Sequence, residues 1–590
     1  MCGIIGYCGE KSAAPIVLKG LKCLEYRGYD SAGMASLCDG QLLIKKDAGK
    51  IDEVNEKHRL DLLPGNTAIG HTRWATHGGV TQTNAHPHLD CKGKLAVVHN
   101  GIIENHQQLR HRLEHKYQFV SDTDTEVIPH LIRESMETGS SLEQAMCHAV
   151  KELRGSYAIL AISATEPQKI VAARKDSPLV VGIGAGENFI ASDTLPFLEH
   201  SNRVIYVEDG EIVSLTPEKV SLLDREGRQI HREPQEVNWK WDGATKQGYD
   251  FFMRKEIQEQ PRAIRCALMQ DRHLIMDIAM DILRARQIVL TGCGSSRHAA
   301  LIGRYLFSKV GGKFSDVIMG SELHHFTDSI HQDTLVIAVS QSGETADILE
   351  GVKRARDNGA TIFSIVNVVG SSLARLSDRV VYLNCGPEIG VAATKSFTSQ
   401  LVVFYLLAFA MINQLREGMR SIRSVASLTE KNFHQNGDIL TRLAQRFKQQ
   451  TDCYYIARGI NFAIAAEAAL KAKEIAYVHA EGMPAGELKH GTLALVEQGT
   501  PVIAICPADY TFAETLSNVA EAKARGAFII GVSDKRDELF DEWIRIPPVA
   551  EIFYPLVSIV PLQLLAYDLA VARGLDPDKP RNLAKSVTVK

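Results

Sequence analysis

The feature that most constrains the fold of this chain is an internal repeat at a constant offset of 167 residues. Three apolar segments of one copy recur in the second copy without a gap: 289–292 with 456–459, 335–340 with 502–507, and 359–363 with 526–530. Three matches at one offset indicate a duplicated structural module rather than chance. We therefore predict two domains of the same fold, at residues 277–417 and 444–580.

The two copies and the first third of the chain differ in the spacing of their apolar residues. In both copies apolar strands alternate with long helical stretches, which predicts βαβ units, and so a parallel sheet flanked by helices. In the first third, short strands predict mainly antiparallel sheets covered by helices: 67–69, 95–98, 157–162 and 170–173. The predicted fold class is therefore multidomain, α+β followed by α/β. The other predicted segments are a domain at 2–238, a linker at 239–276 and a C-terminal tail at 581–590.

Composition excludes several classes of function. The 590 residues exceed what one core accommodates, and 45% apolar residues, 23% charged residues and a net charge of −4 predict a cytoplasmic enzyme without a nucleic-acid or membrane partner. The longest apolar run, 401–412, is shorter than the ~20 residues that span a bilayer, so we predict a buried helix there. The eleven cysteines contain no CxxC pair, and His86-Pro87-His88 has no further ligand at a suitable spacing. We therefore expect no disulfide framework, metal or cofactor.

Cys2 is a candidate nucleophile because of its position. If Met1 is removed, this residue carries a thiol and a free α-amino group, which titrate near ~8.5 and ~7.7 to 8.0. The amine can then take the proton of the thiol, directly or through a water molecule. The alternative is that Cys2 is an ordinary buried residue at the start of a strand.

Three polar clusters supply what a thiol attacking an amide requires. Asn100 and Gly101 offer a side-chain amide and a backbone N–H for an oxyanion hole. Arg73 can pair with a substrate carboxylate, and Asp124 can bind a substrate ammonium, so an amino-acid amide fits the set. Each residue also has a structural alternative: Asn-Gly is common in turns, an arginine is often a solvated charge, and 121–126 resembles a helix capping box.

In the first repeat copy, two predicted strands end in hydroxyl-rich loops that run into helices. These loops contain Ser295, Ser296, Ser340, Gln341, Ser342 and Thr345. Hydroxyls and free N–H groups at a helix N-terminus bind a dianion well, whereas the second copy lacks such a run of hydroxyls at 460–461 and 507–510. We predict one phosphate site, in the first copy; the alternative is a helix cap worth about 1 kcal/mol.

Two further groups have polar side chains with less distinctive patterns. Lys471 and Glu474 are three residues apart in a helical stretch, so they share a face and can address one substrate carbon, or form an exposed ion pair. Lys585 lies in a polar tail, where a solvated lysine is the default expectation.

The motifs together resemble a known family. Segments of the first third are similar to the glutaminase domain of the N-terminal-nucleophile amidotransferases: 2–6, 25–31, 71–78, 99–101 and 123–126. Segments of the repeat are similar to sugar isomerase (SIS) domains: 293–296, 340–345, 388–392, 469–474, 486–491 and 581–589. Both sets resemble the family of glutamine:fructose-6-phosphate aminotransferases, over essentially the whole chain.

The resemblance implies roles in glutamine hydrolysis. It assigns Cys2 as nucleophile and Asn100 with Gly101 as oxyanion hole. It assigns Arg73 and Asp124 to hold glutamine and Trp74 to gate an ammonia channel, with Thr76 and His77 in the same substrate-binding segment.

The resemblance also implies roles in sugar conversion. Lys585 forms a Schiff base with the sugar carbonyl, His490 opens the ring, Glu474 moves a proton and Lys471 assists. The implied reaction converts L-glutamine and D-fructose 6-phosphate into D-glucosamine 6-phosphate and L-glutamate, the first step of hexosamine synthesis, in a homodimer. The alternatives are a different glutamine-dependent enzyme and a sugar-phosphate sensor without catalysis, and the repeat together with a complete glutaminase segment disfavours both.

Overall fold

The computed structural model describes residues 2–237 and 246–588. The chain divides into an N-terminal unit, residues 1–244 with 586–590, and a C-terminal unit, residues 245–585. The predicted removal of Met1, the first residues of the predicted linker and the last two residues of the tail lie outside the described residues. The domain boundaries stay predictions.

The N-terminal unit is built on two antiparallel sheets. Their strands are β1 (Gly3–Gly9), β2 (Ser31–Cys38), β3 (Gln41–Ala48), β4 (Thr67–Arg73), β5 (His88–Leu89), β6 (Leu95–Ile103), β7 (Gly155–Ser163), β8 (Glu166–Lys175), β9 (Val180–Ile183), β10 (Glu187–Ala191), β11 (Arg203–Tyr206), β12 (Ile212–Leu215), β13 (Val220–Leu223), β14 (Gln229–Ile230) and β15 (Gln235–Glu236). The orders are β15-β11-β9-β10-β1-β4-β2-β3 and β14-β13-β12-β8-β7-β6-β5. The predicted antiparallel sheets are confirmed.

Helices cover both outer faces of these sheets. They are α1 (Ala13–Leu24), α2 (Ile51–His58), α3 (His106–Leu113), α4 (Val127–Met136) and α5 (Leu142–Glu152). Strand β1 shows why the layers form: Ile4 and Cys8 face the other sheet, and Ile5 and Tyr7 face α1, because alternate residues of a strand point to opposite sides. This four-layer arrangement places Cys2 at the start of a fully buried strand.

The C-terminal unit contains two five-stranded parallel sheets. Their strands are β16 (Gln287–Gly292), β17 (Asp316–Met319), β18 (Thr334–Ser340), β19 (Thr361–Val366), β20 (Arg379–Tyr382), β21 (Asp452–Ala457), β22 (His479–Pro484), β23 (Pro501–Ile505), β24 (Phe528–Ser533) and β25 (Glu542–Arg545). The orders, β17-β16-β18-β19-β20 and β22-β21-β23-β24-β25, correspond strand for strand. The predicted duplication of one parallel fold is confirmed.

Twelve α-helices are described in this unit: α6 (Phe252–Gln258), α7 (Gln260–Ala267), α8 (Arg272–Arg284), α9 (Ser295–Lys309), α10 (Ala346–Asp357), α11 (Ser372–Leu376), α12 (Lys395–Met411), α13 (Leu415–Asn432), α14 (Gly437–Phe447), α15 (Phe462–Ala476), α16 (Phe512–Lys523) and α17 (Tyr554–Ala572). Helices α6 and α7 lie within the predicted linker and contribute Met253, Ile257 and Ile264 to the core of this unit. That part of the predicted linker is therefore helical and packed.

Two apolar helices lie in this core. The run predicted as a buried helix forms most of α12, whose residues are buried along nearly the whole length. The segment Glu551–Ala572, which contains α17, is long and apolar enough to span a membrane by length and composition, with a mean hydropathy of 1.6. However, 72% of its apolar window is buried inside the protein, as in a core helix. It was not predicted, because Ser558, Gln563 and Asp568 interrupt its apolar residues.

Candidate active sites

The thiol of Cys2 lies beside two predicted site residues. The backbone nitrogen of Cys2 donates to Asn100 Oδ1 at 3.2 Å, and Cys2 Sγ lies 3.5 Å from the backbone nitrogen of Trp74. Cys2 is 9% exposed, and burial raises the pKa of its thiol. The positive charge of Arg73 lowers this pKa, and the negative charge of Asp124 raises it. The structure thus brings five predicted residues into one neighbourhood, and a thiol with a raised pKa needs a base to become a nucleophile.

Asn100 has a donor that no described residue uses. Its Oδ1 accepts from Cys2, whereas its Nδ2 is buried without a hydrogen-bond partner. Leaving a buried donor unpaired costs about 1–3 kcal/mol, so this amide is available to donate to a group bound beside Cys2. The next residue, Gly101, has φ +147°, and a Cβ there would lie 2.0 Å from the carbonyl oxygen of Ser156. Glycine is therefore required at this point of β6.

Arg73 and Asp124 both already hold backbone groups. The Arg73 guanidinium donates to the carbonyls of Gly79 at 3.0 Å and Gly78 at 3.1 Å, and also to that of His77. Asp124 Oδ2 accepts from the backbone nitrogen of Ile103 at 2.7 Å. Both side chains are buried, and these hydrogen bonds fix the loop after β4 and the end of β6 around the thiol.

The remaining predicted residues lie in the loop after Arg73. Trp74 is half-buried and packs edge-on against Tyr29, with ring centroids 5.9 Å apart. Thr76 is exposed, and the ring of His77 lies 5.0 Å from that of His106. This loop therefore lies partly at the surface, next to the thiol that Trp74 contacts.

Four buried histidines, which sequence reasoning did not assign to the site, form a group that includes His99, the residue before Asn100. It consists of His71, His86, His88 and His99. His86 Nδ1 accepts from the backbone nitrogen of His99 at 3.3 Å, and the His71 and His86 rings stack 3.8 Å apart. Burial lowers the pKa of all four. In the part of the chain that the structure describes, no group of three or more such side chains is placed to hold a metal.

The predicted phosphate loop connects β18 to α10. Ser340 Oγ accepts from the backbone nitrogen of Gly343 at 3.0 Å and lies 3.1 Å from Thr345 Oγ1. Ser342 Oγ accepts from the backbone nitrogen of Glu344 at 3.2 Å. These hydroxyls thus shape the loop before the helix, and no side-chain cap is described at the N-terminus of α10. The first N–H groups of this helix can therefore donate to an anion.

The residues Ser296 and Gln341 complete the predicted set. Ser296 Oγ accepts from Gln400 Nε2 at 3.0 Å, and the carbonyl of Gln341 accepts from the backbone nitrogen of Asn367 at 3.0 Å. Both residues are half-buried, so each keeps some contact with solvent.

Lys471 is the centre of a buried charged cluster. Its Nζ donates to Glu474 Oε2 at 2.5 Å and to Ser295 Oγ at 3.1 Å, and lies 3.3 Å from Glu467 Oε1. Burial alone would lower the pKa of Lys471, but the two carboxylates outweigh it and raise the pKa. Glu467 also accepts from Ser295 at 2.8 Å and contacts His298 Nδ1 at 2.8 Å. Lys471 and Glu474 are thus not an exposed ion pair.

Lys585 is also buried, and its partner is a carboxylate. Its Nζ donates to Glu388 Oε2 at 2.5 Å and to the carbonyl of Gly390 at 2.8 Å. His490 is exposed at the end of the 3₁₀ helix Ala485–His490, and no hydrogen bond joins it to Lys471 or Glu474 among the described residues. The structure therefore does not bring His490 into the lysine cluster.

Sequence reasoning missed the two glutamates that hold the two lysines. Glu467 precedes Lys471 by four residues, so the same helical spacing that paired Lys471 with Glu474 could have found it. Glu388 is distant in sequence from Lys585, and only the fold places them together.

Comparison with known proteins matches both units to families. The model of the SIS domain matches residues 281–410 and 446–573, and that of a glutamine amidotransferase domain matches residues 71–200. The glutamine–fructose-6-phosphate aminotransferases (isomerizing) of Thermococcus kodakarensis and Methanothermobacter thermautotrophicus are 47% and 48% identical to this chain, over 100% of each chain. The chain belongs to this family.

Solved structures of related proteins match the fold of the C-terminal unit. The C-terminal domain of the glucosamine-fructose-6-phosphate aminotransferase from Francisella tularensis matches with a TM-score of 0.53 and 32% identity, covering 57% of this chain and 99% of that chain. The tagatose-6-phosphate ketose/aldose isomerase of Escherichia coli matches with a TM-score of 0.51 at 22% identity, covering 57% of this chain and 96% of that one, which shows the fold alone. The resemblance to the aminotransferase family is therefore confirmed over the full length.

Proposed function

We propose that this chain transfers the amide nitrogen of L-glutamine to D-fructose 6-phosphate and isomerises the product, giving D-glucosamine 6-phosphate and L-glutamate. The observation that carries the proposal is the pair of sites in one chain. One holds a thiol beside the unused amide donor of Asn100, and the other holds a buried Lys585 in a duplicated sugar isomerase unit. Family membership supports the same reaction.

The N-terminal unit releases ammonia from glutamine. The Cys2 thiolate attacks the amide carbon, and the developing oxyanion accepts from Asn100 Nδ2 and the N–H of Gly101. The amide nitrogen takes the proton that the α-amino group removed from the thiol and leaves as ammonia, and a water molecule that gives a proton to the same amine then hydrolyses the thioester to glutamate. The base is the α-amino group that removal of Met1 exposes on Cys2; its nitrogen is the backbone nitrogen that donates to Asn100 Oδ1 at 3.2 Å.

The substrate is held by charged groups on both sides of the thiol. Arg73 binds the glutamine carboxylate and Asp124 its ammonium, with Thr76 and His77 completing the pocket. Trp74 gates the path of ammonia, which its contact with Cys2 Sγ supports.

The C-terminal unit converts the sugar. His490 opens the ring, Lys585 forms an iminium with C2, ammonia replaces Lys585 at C2, and Glu474 moves a proton from C1 to C2 while Lys471 assists. The phosphate binds the loop before α10 and the start of α9, through Ser295, Ser296, Ser340, Gln341, Ser342 and Thr345. The uncapped N-terminus of α10 supports this placement.

Assembly and location are part of the same proposal. We propose a cytoplasmic homodimer without a nucleic-acid, membrane, metal or cofactor requirement. Light scattering of the purified protein tests the dimer, and activity after dialysis against a chelator tests the absence of a metal. A monomer with full activity, or activity that is lost on chelation and restored by one metal, would contradict these points.

The decisive experiment supplies glutamine and fructose 6-phosphate and measures glutamate and glucosamine 6-phosphate together. We expect both in equal amounts, and glutamate without the amino sugar would indicate another acceptor. Lys585→Ala should keep glutamine hydrolysis and lose the amino sugar. Trp74→Ala should release free ammonium during turnover if the residue gates the channel, and tight coupling in that variant would contradict the gate.

A further inference from the structure

The side chain of Lys585 is removed from water and faces one carboxylate. Its Nζ makes two described hydrogen bonds, to Glu388 Oε2 at 2.5 Å and to the carbonyl of Gly390 at 2.8 Å. The Lys585 and Glu388 side chains are 4% and 0% exposed. A buried ammonium needs such a partner, because an unpaired charge is strongly disfavoured in the interior.

Glu388 is held in place by groups other than Lys585. It accepts from the backbone nitrogens of Thr394 and Ser396, each at 3.0 Å, and from Ser396 Oγ at 2.6 Å. Burial alone would raise the pKa of Glu388, but the charge and hydrogen bond of Lys585 and the bonds from Ser396 lower it to about 2. The carboxylate therefore stays anionic near neutral pH and does not take the proton of Lys585.

A permanent anion suits the chemistry proposed for Lys585. The ammonium and the ketone combine to an iminium and one water: the N–C2 double bond forms, the C2–O double bond breaks, and two ammonium protons leave with the oxygen. The third proton stays on nitrogen. Nζ thus carries one positive charge before and after the step, and a carboxylate beside it stabilises both states.

We propose that Glu388 is the counter-ion of the ketose iminium that forms on Lys585. The inference rests on the proposed function, which places the Schiff base on this lysine. A group acting in this way stabilises a charged intermediate at the reacting nitrogen, in addition to orienting the lysine before substrate binds.

The other titratable groups near this pair do not bond to Lys585 among the described residues. Glu256 accepts from the backbone nitrogens of Ile389 and Gly390, and Lys395 pairs with Glu259 at 2.6 Å. Cys385 is neutral, because burial raises the pKa of its thiol to about 12. Glu256 is equally buried and touches the same segment without contacting the reacting nitrogen. Burial and the charge of Glu388 raise its pKa to about 8, so its neutral form, which glutamine imitates, predominates below that pH and makes Glu256→Gln the matched control.

The test traps the iminium. Full-length protein is incubated with fructose 6-phosphate and sodium cyanoborohydride, which reduces iminium ions, and the adduct on Lys585 is quantified by mass spectrometry over pH 6 to 8 for wild type, Glu388→Gln, Glu388→Asp and Glu256→Gln. Without the negative charge of Glu388, the pKa of the imine on Lys585 should be lower, and each unit of lowering reduces the protonated fraction ~tenfold. Near pH 8 we therefore expect Glu388→Gln to give roughly tenfold to hundredfold less reduced adduct than wild type, and the yield should recover at lower pH. Glu256→Gln should trap as wild type, and Glu388→Asp should keep the wild-type pH profile at a reduced rate.

The outcomes separate the two levels of the proposal. No adduct on Lys585 of wild type would overturn the Schiff-base role and this inference with it. An adduct on wild type, with Glu388→Gln trapping equally well or losing the same factor at every pH, would overturn the counter-ion alone, since a merely structural role does not change the pH profile. If Glu388→Gln fails to fold, Glu388→Asp decides, because an altered pH profile there also overturns the inference.

Discussion

Replacing Lys471 by methionine should destabilise α15, because the change leaves the buried carboxylate of Glu467 with Ser295 and His298 as its described partners and no lysine beside it. Lys471 and Glu467 are both fully buried, and Nζ lies 3.3 Å from Oε1. At that distance and an effective dielectric constant of ~20, the attraction is about 5 kcal/mol. Breaking a buried pair from one side costs about 3–5 kcal/mol in practice. We therefore expect Lys471→Met to lower the local free energy of unfolding of α15 by about 3–5 kcal/mol.

Hydrogen exchange of the α15 backbone, followed by mass spectrometry, measures that quantity without assuming that the whole chain unfolds in one step. A loss of ~4 kcal/mol corresponds to roughly thousandfold faster exchange when reclosing is fast. The control is the double variant Lys471→Met/Glu467→Gln, which removes the stranded charge. The local free energy of unfolding of α15 should be at least about 2 kcal/mol higher in the double variant than in the single variant.

Two results would refute the reasoning. One is exchange in Lys471→Met that is less than about tenfold faster than in wild type, since ~1.4 kcal/mol is below the cost of a stranded charge. The other is a double variant that exchanges as fast as the single variant, which would mean that the charge of Glu467 is not the source of the loss.

Three further predictions concern the N-terminal unit. Asn100→Ala should lower kcat for glutamine hydrolysis by about 10²–10³ with a smaller change in KM, and steady-state kinetics with an unchanged kcat would contradict the oxyanion hole. Gly101→Ala should destabilise the unit by about 2 kcal/mol or more, since its Cβ would meet the carbonyl of Ser156 at 2.0 Å, and calorimetry with an unchanged melting temperature would contradict this. Burial lowers the pKa of each of the four buried histidines below the value in the unfolded chain, which is near ~6.5. As the pH falls below ~6.5, the unfolded state therefore binds protons that the folded state does not. The free energy of unfolding should fall by up to about 1.4 kcal/mol per pH unit for each histidine. A melting temperature of this unit that is the same at pH 7.5 and pH 5.5 would contradict the expected loss of stability at lower pH.

The sequence predicts the fold well where a periodic signal repeats. The constant offset of 167 residues predicted two like domains, and the two parallel sheets have corresponding strand orders. The sequence predicts the fold less well where neighbouring elements decide which residues are buried. Helix α17 is apolar on all sides, but its few polar residues interrupt the apolar run by which it would be detected. Helices α6 and α7 were assigned to a linker although Met253 and Ile257 have helical spacing, and they pack into the core of the C-terminal unit.

The residues of the candidate sites also fall into two classes, those that sequence motifs predicted and those that only the fold brings together. Cys2, Asn100 and Trp74 were predicted from their motifs, and the structure places them in contact. The glutamates were not predicted, because a carboxylate becomes a partner for a buried lysine only once the fold has removed both from water. Glu388 and Lys585 are separated by 197 residues, so no local pattern relates them.

The second repeat copy shows why one phosphate site is expected rather than two. At the offset of the repeat, Asp509 corresponds to Ser342 of the proposed phosphate loop. Asp509 Oδ1 accepts from the backbone nitrogen of Thr511 at 2.8 Å and from its Oγ1 at 2.7 Å, and Oδ2 accepts from Asn461 at 2.8 Å. An internal carboxylate thus lies just before α16, where the first copy has neutral hydroxyls. Because the Asp509 carboxylate accepts from N–H and O–H donors just before this helix and repels a second anion, we expect the second copy not to bind phosphate. Asp509→Ser should therefore cost about 1 kcal/mol of stability, as the loss of a local cap does, and leave the conversion of fructose 6-phosphate unchanged.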